Sequence, residues 1–147
     1  MKRWLLLSAA LAAVGFLSRL PHPARDISEL EPVEVVWLHM EESRLAIETD
    51  TGAKGTGKTL SEASENMKTA ASAEIFLDTA EYLIIDPDIP IPDDCFTLFR
   101  PDCKVCFTTA SPDMEKAADY LSAHTPPISL SQLRANITQS SALRTQH

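Results

Sequence analysis

At 147 residues, with 44% hydrophobic and 23% charged side chains, the chain has room for one ordinary globular domain once a leader and a tail are set aside. The charge is uneven: four of the 13 basic residues precede the first acid, which leaves nine basic and 21 acidic side chains, net −12, in residues 26–147. A body this negative repels phosphate backbones and anionic lipid headgroups, so nucleic-acid binding and peripheral membrane binding are both disfavoured.

The N-terminus has the order of a secretory signal. Lys2 and Arg3 form a basic start, residues 4–17 are an uncharged apolar run, and Arg19 follows it. This run of 14 residues suits the apolar region of a signal peptide and is short for a membrane span, which needs about 20 residues. Residues 1–20 are therefore predicted to be a signal peptide or an uncleaved membrane anchor. The body is expected to be exported, at the outer face of the cell membrane or secreted.

Two strands are predicted to open the body as a hairpin. Residues 33–40 (VEVVWLHM) are nearly all apolar and often β-branched, as in a central strand. Residues 44–51 (RLAIETDT) alternate apolar and polar side chains, which predicts a half-buried strand. The polar residues 41–43 form the turn, although they lack the Asn-Gly pair typical of tight hairpins.

A helix is predicted to begin after Thr59. Thr59 and Glu62 match a capping box, in which two side chains satisfy backbone N–H groups that the first helical turn leaves free. The apolar stripe of this helix consists of Leu60, Ala63, Met67 and Ala70. After the helix, residues 82–85 (YLII) are predicted to be a buried third strand.

Four prolines in residues 86–102 block regular ladders, so this segment is predicted to be irregular. Residues 104–109 (KVCFTT) are the predicted fourth strand. The clearest helix follows, with Ser111 as its cap and Pro112 at the first helical position. Its apolar face consists of Met114, Ala117, Ala118 and Leu121.

A short helix is predicted to begin at Ser129, where Ser129 and Gln132 form another capping box. Residues 136–147 are predicted to be a flexible polar tail. The order β-β-α-β-β-α predicts an α+β fold, with a small mixed four-stranded sheet and helices packed on one face. Residues 25–135 are expected to form this single extracytoplasmic domain.

Residues 52–59 (GAKGTGKT) match the phosphate-loop pattern, after a strand and before a helix as that mechanism requires. In this alternative hypothesis Gly57, Lys58 and Thr59 bind a nucleotide: backbone N–H groups cradle phosphates, Lys58 contacts the terminal ones and Thr59 holds Mg²⁺. However, charged residues alternate along the preceding strand, and the body lacks the repeated βα units of nucleotide-binding sheets. An exported domain also meets little ATP. The preferred interpretation is a glycine-rich loop leading into a capped helix.

No convergent catalytic or metal-binding group is predicted. Cys95, Cys103 and Cys106 leave open one disulfide and one unpaired thiol in an oxidising compartment. Cys103 and Cys106 form a C-x-x-C pair in a strand, where positions i and i+3 point to opposite faces, so a redox pair is not expected. His39 and His124 have no partner at a spacing that suggests a triad. A solvated acidic loop, rather than a calcium loop, is predicted for Asp86, Asp88, Asp93 and Asp94.

Several stretches carry a resemblance to a known family: residues 25–30, the hairpin of residues 33–51, the helix of residues 59–71, residues 75–86, and the strand and helix within residues 104–124. Over residues 25–125 the chain resembles the N-terminal domain of the Ger(x)C spore germination proteins of endospore-forming Firmicutes. Those proteins are membrane lipoproteins, the C subunits of nutrient germinant receptors. The chain departs from them in lacking a lipid-attachment cysteine, the helix after the third strand and the large C-terminal domain. The resemblance implies a shortened relative anchored by its N-terminus, without enzymatic activity.

We therefore expect a non-enzymatic, membrane-associated, extracytoplasmic interaction domain of a sporulating bacterium, linked to spore germination. Its expected partners are other membrane or envelope proteins. It is expected to contact the membrane through the N-terminal apolar segment, and to use no nucleic acid and no cofactor. A phosphate-loop nucleotide-binding protein is the alternative.

Overall fold

A computed structural model describes residues 30–144 of the chain. The leader expected at residues 1–20 and the last three residues of the expected polar tail lie outside the described residues. No helix within residues 30–144 is long and apolar enough to cross a membrane.

The described chain contains eight strands, four α-helices and one 3₁₀ turn, Leu77–Thr79. The strands are β1 (Leu30–Pro32), β2 (Val35–Glu41), β3 (Arg44–Thr49), β4 (Lys54–Gly57), β5 (Glu74–Phe76), β6 (Tyr82–Ile85), β7 (Lys104–Phe107) and β8 (Ile128–Ser129). The helices are α1 (Leu60–Ala70), α2 (Cys95–Leu98), α3 (Met114–Ala123) and α4 (Leu130–Arg144).

Six strands form one mixed sheet in the order β4-β3-β2-β6-β7-β8, and β1 pairs with β5 in a separate two-stranded sheet. Strands β2, β6 and β7 run parallel to one another, while β3, β4 and β8 each pair antiparallel with a neighbour. The predicted α+β class is confirmed, and the four predicted strands are the central ones, β3, β2, β6 and β7. The predicted count of four is wrong, because β4 and β8 extend the two edges. A glycine-rich strand and a two-residue strand lack the apolar alternation by which strands are recognised.

The helices lie on both faces of the sheet. Helices α1 and α4 cover one face over the main core, and α3 covers part of the other face. The prediction that all helices pack on one face is wrong, because β2 and β6 carry apolar residues at consecutive positions and so present apolar side chains to both faces. On the second face, side chains of β2, β6 and α3 pack together in a small separate cluster, which consists of Val35, Tyr82, Ile84, Ala117 and Leu121.

Residues 86–102, called the proline-rich loop below, pack against the main core. They contain one helical turn, α2, and are otherwise irregular, as predicted. Ile89, Cys95 and Phe99 are buried in the main core. The loop is therefore part of the folded domain rather than a surface linker.

The predicted capping box at α4 is confirmed. At α1 the Thr59 half is confirmed, but Glu62 bonds to the N–H of Lys58 and not to that of the cap residue Thr59. At α1, the Thr59 hydroxyl accepts a hydrogen bond from the Glu62 N–H at 3.1 Å, and Glu62 Oε2 accepts one from the Lys58 N–H at 2.8 Å. At α4, Gln132 Oε1 accepts from the Ser129 N–H at 2.9 Å, and the Ser129 hydroxyl accepts from the Gln132 N–H at 3.4 Å.

The start of α3 differs from the prediction. The helix begins at Met114 with Asp113 in the cap position, so the assignment of Ser111 as the cap is wrong. Asp113 is extended, with φ −78° and ψ 95°, which keeps Pro112 outside the helix. Helix α4 continues to Arg144, so most of the segment predicted to be a flexible tail is helical.

Candidate functional site

The glycine-rich sequence that matches a phosphate loop forms an edge strand. It is β4, which pairs antiparallel with β3 and places Gly55 opposite Ile47. Gly55 and Gly57 lie directly against α1, and a Cβ atom at Gly57 would stand 2.5 Å from the backbone nitrogen of Ala63. The close packing of a helix on a strand explains both glycines, since only residues without a Cβ atom fit there.

The N-terminus of α1 is occupied by oxygen atoms of the protein itself. Besides the capping box of Thr59 and Glu62, Asp94 Oδ2 accepts hydrogen bonds from the backbone N–H and the hydroxyl of Ser61, at 3.3 and 2.8 Å. Lys58 and Thr59, two of the residues in the nucleotide hypothesis, thus flank a helix N-terminus that already holds a carboxylate. In a phosphate loop these N–H groups instead point at the bound anion.

The three cysteines are described as free thiols. Cys103 lies in the main core and Cys106 packs against the cluster on the other face, so the predicted separation of this pair is confirmed. Burial raises the pKa of Cys95 and of Cys103 to about 12, and burial also raises the pKa of Cys106. These thiols stay protonated at neutral pH, whereas nucleophilic and metal-binding cysteines act as thiolates.

The aspartates of the proline-rich loop take structural roles. Asp86 Oδ1 accepts a hydrogen bond from the Asp88 N–H at 2.9 Å and closes a turn, and Asp94 binds α1 as described above. Among residues 30–144, no group of three or more His, Cys, Asp or Glu side chains is placed to hold a metal ion.

The two described histidines each stack on an aromatic neighbour. The rings of His39 and Trp37 on β2 have centroids 3.7 Å apart, and those of His124 and Tyr120 lie 4.5 Å apart at the end of α3. Among the described residues, neither Trp37 Nε1 nor His39 Nδ1 has a hydrogen-bond partner, although both atoms are buried. Burial lowers the pKa of His39, and the Lys54 ammonium lowers it further.

A groove of about 780 Å³ lies between α3 and the β7–β8 edge of the sheet. Phe107 and Tyr120 on its walls are 45% and 63% exposed. A concave apolar surface of this size is typical of binding sites, and tyrosine is enriched at protein interfaces. The groove is lined mainly by apolar side chains, among them Val105, Cys106, Phe107, Tyr120, Leu121 and Ile128.

The sequence alone does not indicate this groove. Phe107 is expected in a strand and Leu121 in the apolar stripe of α3, but nothing in their spacing indicates that they meet. The available signals were Tyr120, an aromatic side chain outside that stripe, and the Pro126-Pro127 pair, which shortens the edge strand beside the groove.

Comparisons of the chain with protein-family models, curated proteins and solved structures found no match.

Proposed function

We propose that this chain is a non-enzymatic interaction domain, held at the outer face of a bacterial membrane by its N-terminal apolar segment. Its binding surface is the groove between α3 and the β7–β8 edge. The observation that carries this proposal is the exposure of Phe107 and Tyr120 on an apolar concave surface. Contiguous exposed apolar surface on a soluble domain commonly marks a site of protein interaction.

The chemistry of the other candidate sites supports a binding role over catalysis. The thiols are protonated because burial raises their pKa values. The helix N-terminus beside Lys58 holds the Asp94 carboxylate in the place where a nucleotide phosphate would bind. Each of these groups has a structural explanation, whereas Tyr120, although its ring stacks on His124, is left 63% exposed on the groove.

The link to germination rests on the resemblance to Ger(x)C proteins. By this proposal the chain is a relative of a germinant-receptor C subunit, and its partners are membrane or envelope proteins of a sporulating bacterium. Receptor A and B subunits encoded beside it would support this assignment, and their absence from the neighbouring genes would count against it.

Site-specific photo-crosslinking in cells that make the full chain tests the groove. Benzoylphenylalanine replaces Tyr120 in the groove or, as the control, Ile137, which is 42% exposed on α4. We expect position 120 alone to join the chain to one envelope protein, which also co-purifies with the unmodified chain and is lost from the Tyr120→Glu variant. Equal crosslinking at both positions would contradict the proposal.

Export is tested separately, with alkaline phosphatase joined after Leu133. Lys2 and Arg3 should keep the N-terminus inside the cell, so the enzyme is expected to be active outside the cytoplasm. If the fusion is inactive, and becomes active once an unrelated signal replaces residues 1–20, the export proposal is wrong.

A further inference from the structure

The outer edge of β7 is only partly paired. Lys104 N–H donates to the Glu81 carbonyl at 2.8 Å and Thr108 N–H donates to the Ile85 carbonyl at 3.2 Å, so alternate residues of β7 direct their backbone groups toward β6. Val105 and Phe107, the intervening residues, therefore direct their N–H and C=O groups toward the opposite edge.

Strand β8 covers just one of these two residues. Val105 pairs with Ile128, and this pair is the last between β7 and β8. The residues that would continue β8 along β7 are Pro126 and Pro127, and proline has no N–H to donate to a ladder. Within residues 30–144, no strand pairs with the outer side of Phe107, and Pro126 and Pro127 flank this open edge where they line the groove.

This open edge lies beside the groove. Phe107 and Thr108 line the groove on the β7 side, and Tyr120 and Leu121 of α3 line it on the other side. A strand added next to β7 would direct every second side chain toward the face that α3 covers, because side chains alternate along a strand. An extended segment is the ligand that uses both features, since its backbone pairs with Phe107 and its apolar side chains fill the groove.

Charge indicates what kind of segment fits. The body carries −12. In the groove the Asp113 carboxylate pairs with the Lys116 ammonium at 3.1 Å, and elsewhere on α3 the acids Glu115 and Asp119 are in excess. Electrostatic complementarity favours a basic partner and disfavours a second copy of this acidic chain. An acyl chain would fill the groove but leave the backbone groups of Phe107 unpaired.

We propose that the groove binds an extended, basic segment of a partner protein, which adds a strand to β7 beyond β8 and inserts apolar side chains beneath α3. This inference rests on the proposed function and names the chemistry of the partner. The main-chain hydrogen bonds supply binding that tolerates different sequences, and the groove selects apolar residues at alternate positions.

The test uses fluorescent heptapeptides that alternate lysine and valine, titrated with the detergent-purified full chain while anisotropy is measured. One matched peptide replaces lysine by glutamate, and another carries N-methyl groups on alternate backbone nitrogens, so that it keeps its charge but cannot pair with a strand edge. We expect the N-methylated peptide and the acidic peptide each to bind about tenfold more weakly or worse.

Variants of the chain locate the binding. Phe107→Pro removes the N–H at the open edge, and Tyr120→Glu changes an exposed wall of the groove; both are expected to weaken binding about tenfold. Ile137→Glu, on the exposed part of α4, should bind as the unaltered chain does. A thermal melt of each variant identifies any that fails to fold, and Tyr120→Glu is the variant that decides if Phe107→Pro does not fold.

The outcomes separate this inference from the proposed function. If the N-methylated peptide binds as well as its parent, or Tyr120→Glu binds as well as Ile137→Glu, strand addition in the groove is wrong. Specific crosslinking at position 120 would then still support an interaction domain with a different kind of partner. Loss of both the peptide binding and the crosslink would overturn both proposals, and self-association that Tyr120→Glu abolishes would replace the partner by a second copy.

Discussion

Asp94 joins the proline-rich loop to the first turn of α1 through Ser61. One oxygen, Oδ2, accepts hydrogen bonds from both the backbone N–H and the hydroxyl of Ser61, at 3.3 and 2.8 Å, across 33 positions in the sequence. A carboxylate at this position also interacts favourably with the positive end of the helix dipole. The contact links the proline-rich loop, at the cap position of α2, to a helix of the main core.

The first prediction concerns this contact. Asp94→Ala leaves the Ser61 N–H without its acceptor and removes a charge from the helix N-terminus, so we expect the free energy of unfolding to fall by about 1 kcal/mol. Asp93→Ala removes the same charge one residue earlier and is the matched control, expected to change stability by less than about 0.5 kcal/mol. Urea denaturation of both variants measures the difference, and equal losses would show that net charge rather than the contact matters.

A second prediction separates the structural from the nucleotide-binding interpretation of the glycine-rich sequence. Thr59→Ala removes the cap of α1 and should cost about 1 kcal/mol of stability, while Lys58→Ala should cost less than about 0.5 kcal/mol. Calorimetric titration of the unaltered chain with Mg-ATP is expected to show no binding. Micromolar binding that disappears in Lys58→Ala would instead establish the phosphate-loop hypothesis.

A third prediction follows from the packing of β4 on α1. A Cβ atom at Gly55 would overlap the Ala63 carbonyl oxygen, and one at Gly57 would lie 2.5 Å from the Ala63 nitrogen. Gly55→Ala and Gly57→Ala should each lower the free energy of unfolding by about 3 kcal/mol or prevent folding. Gly52→Ala is the control, because Gly52 has φ +86° but open space around it and should lose only about 1 kcal/mol. Similar losses at all three sites would contradict the packing argument.

The sequence predicted the central elements because their signals are local. The hydrophobic periodicity predicted β2, β3, β6 and β7. The capping residues Thr59 and Glu62 predicted the start of α1. Strand β4 was not recognised, because its glycines are required by close packing against Ala63 of α1. The sequence of β4 by itself contains no sign of that contact. Strand β8 was not recognised because two residues are too few to show the alternation of apolar and polar side chains that is typical of a strand.

The groove could not be predicted for a similar reason. It exists because α3 packs on the second face of the sheet and because β8 begins only at Ile128, opposite Val105. Both are features of the tertiary structure. Phe107 and Tyr120 lie 13 positions apart, on different elements, and only the fold brings both to one concavity. The consecutive apolar residues of β2 and β6 were the signal that a second face would be covered.

A fourth prediction concerns the turn between β2 and β3. Glu42 and Ser43 have φ of +48° and +65°, so the hairpin uses a two-residue turn with both residues in the left-handed region. Asparagine and glycine adopt this conformation at lower cost, so Glu42→Asn with Ser43→Gly should raise the free energy of unfolding by about 1 kcal/mol. Thermal melts measure the gain. Glu42→Ala with Ser43→Ala serves as the control and should give no gain, and equal gains in both would show that the removed charge, not the turn conformation, limits stability.

The last prediction concerns His39, whose pKa is lowered from 6.5 by burial and by Lys54, against the opposing effects of Glu48, Glu41 and Asp86. The unfolded chain takes up a proton near pH 6.5, but the folded chain does so only at lower pH, so the folded state binds fewer protons in that interval. Stability from this group is therefore complete above pH 6.5 and is lost as the pH falls below it.

Urea midpoints at pH about 7.5 and about 5.5 should show this loss in the unaltered chain and a smaller loss in His39→Gln, because glutamine does not titrate. If His39→Gln and the unaltered chain lose equal stability between the two pH values, the proton is taken up elsewhere and His39 does not cause the pH dependence.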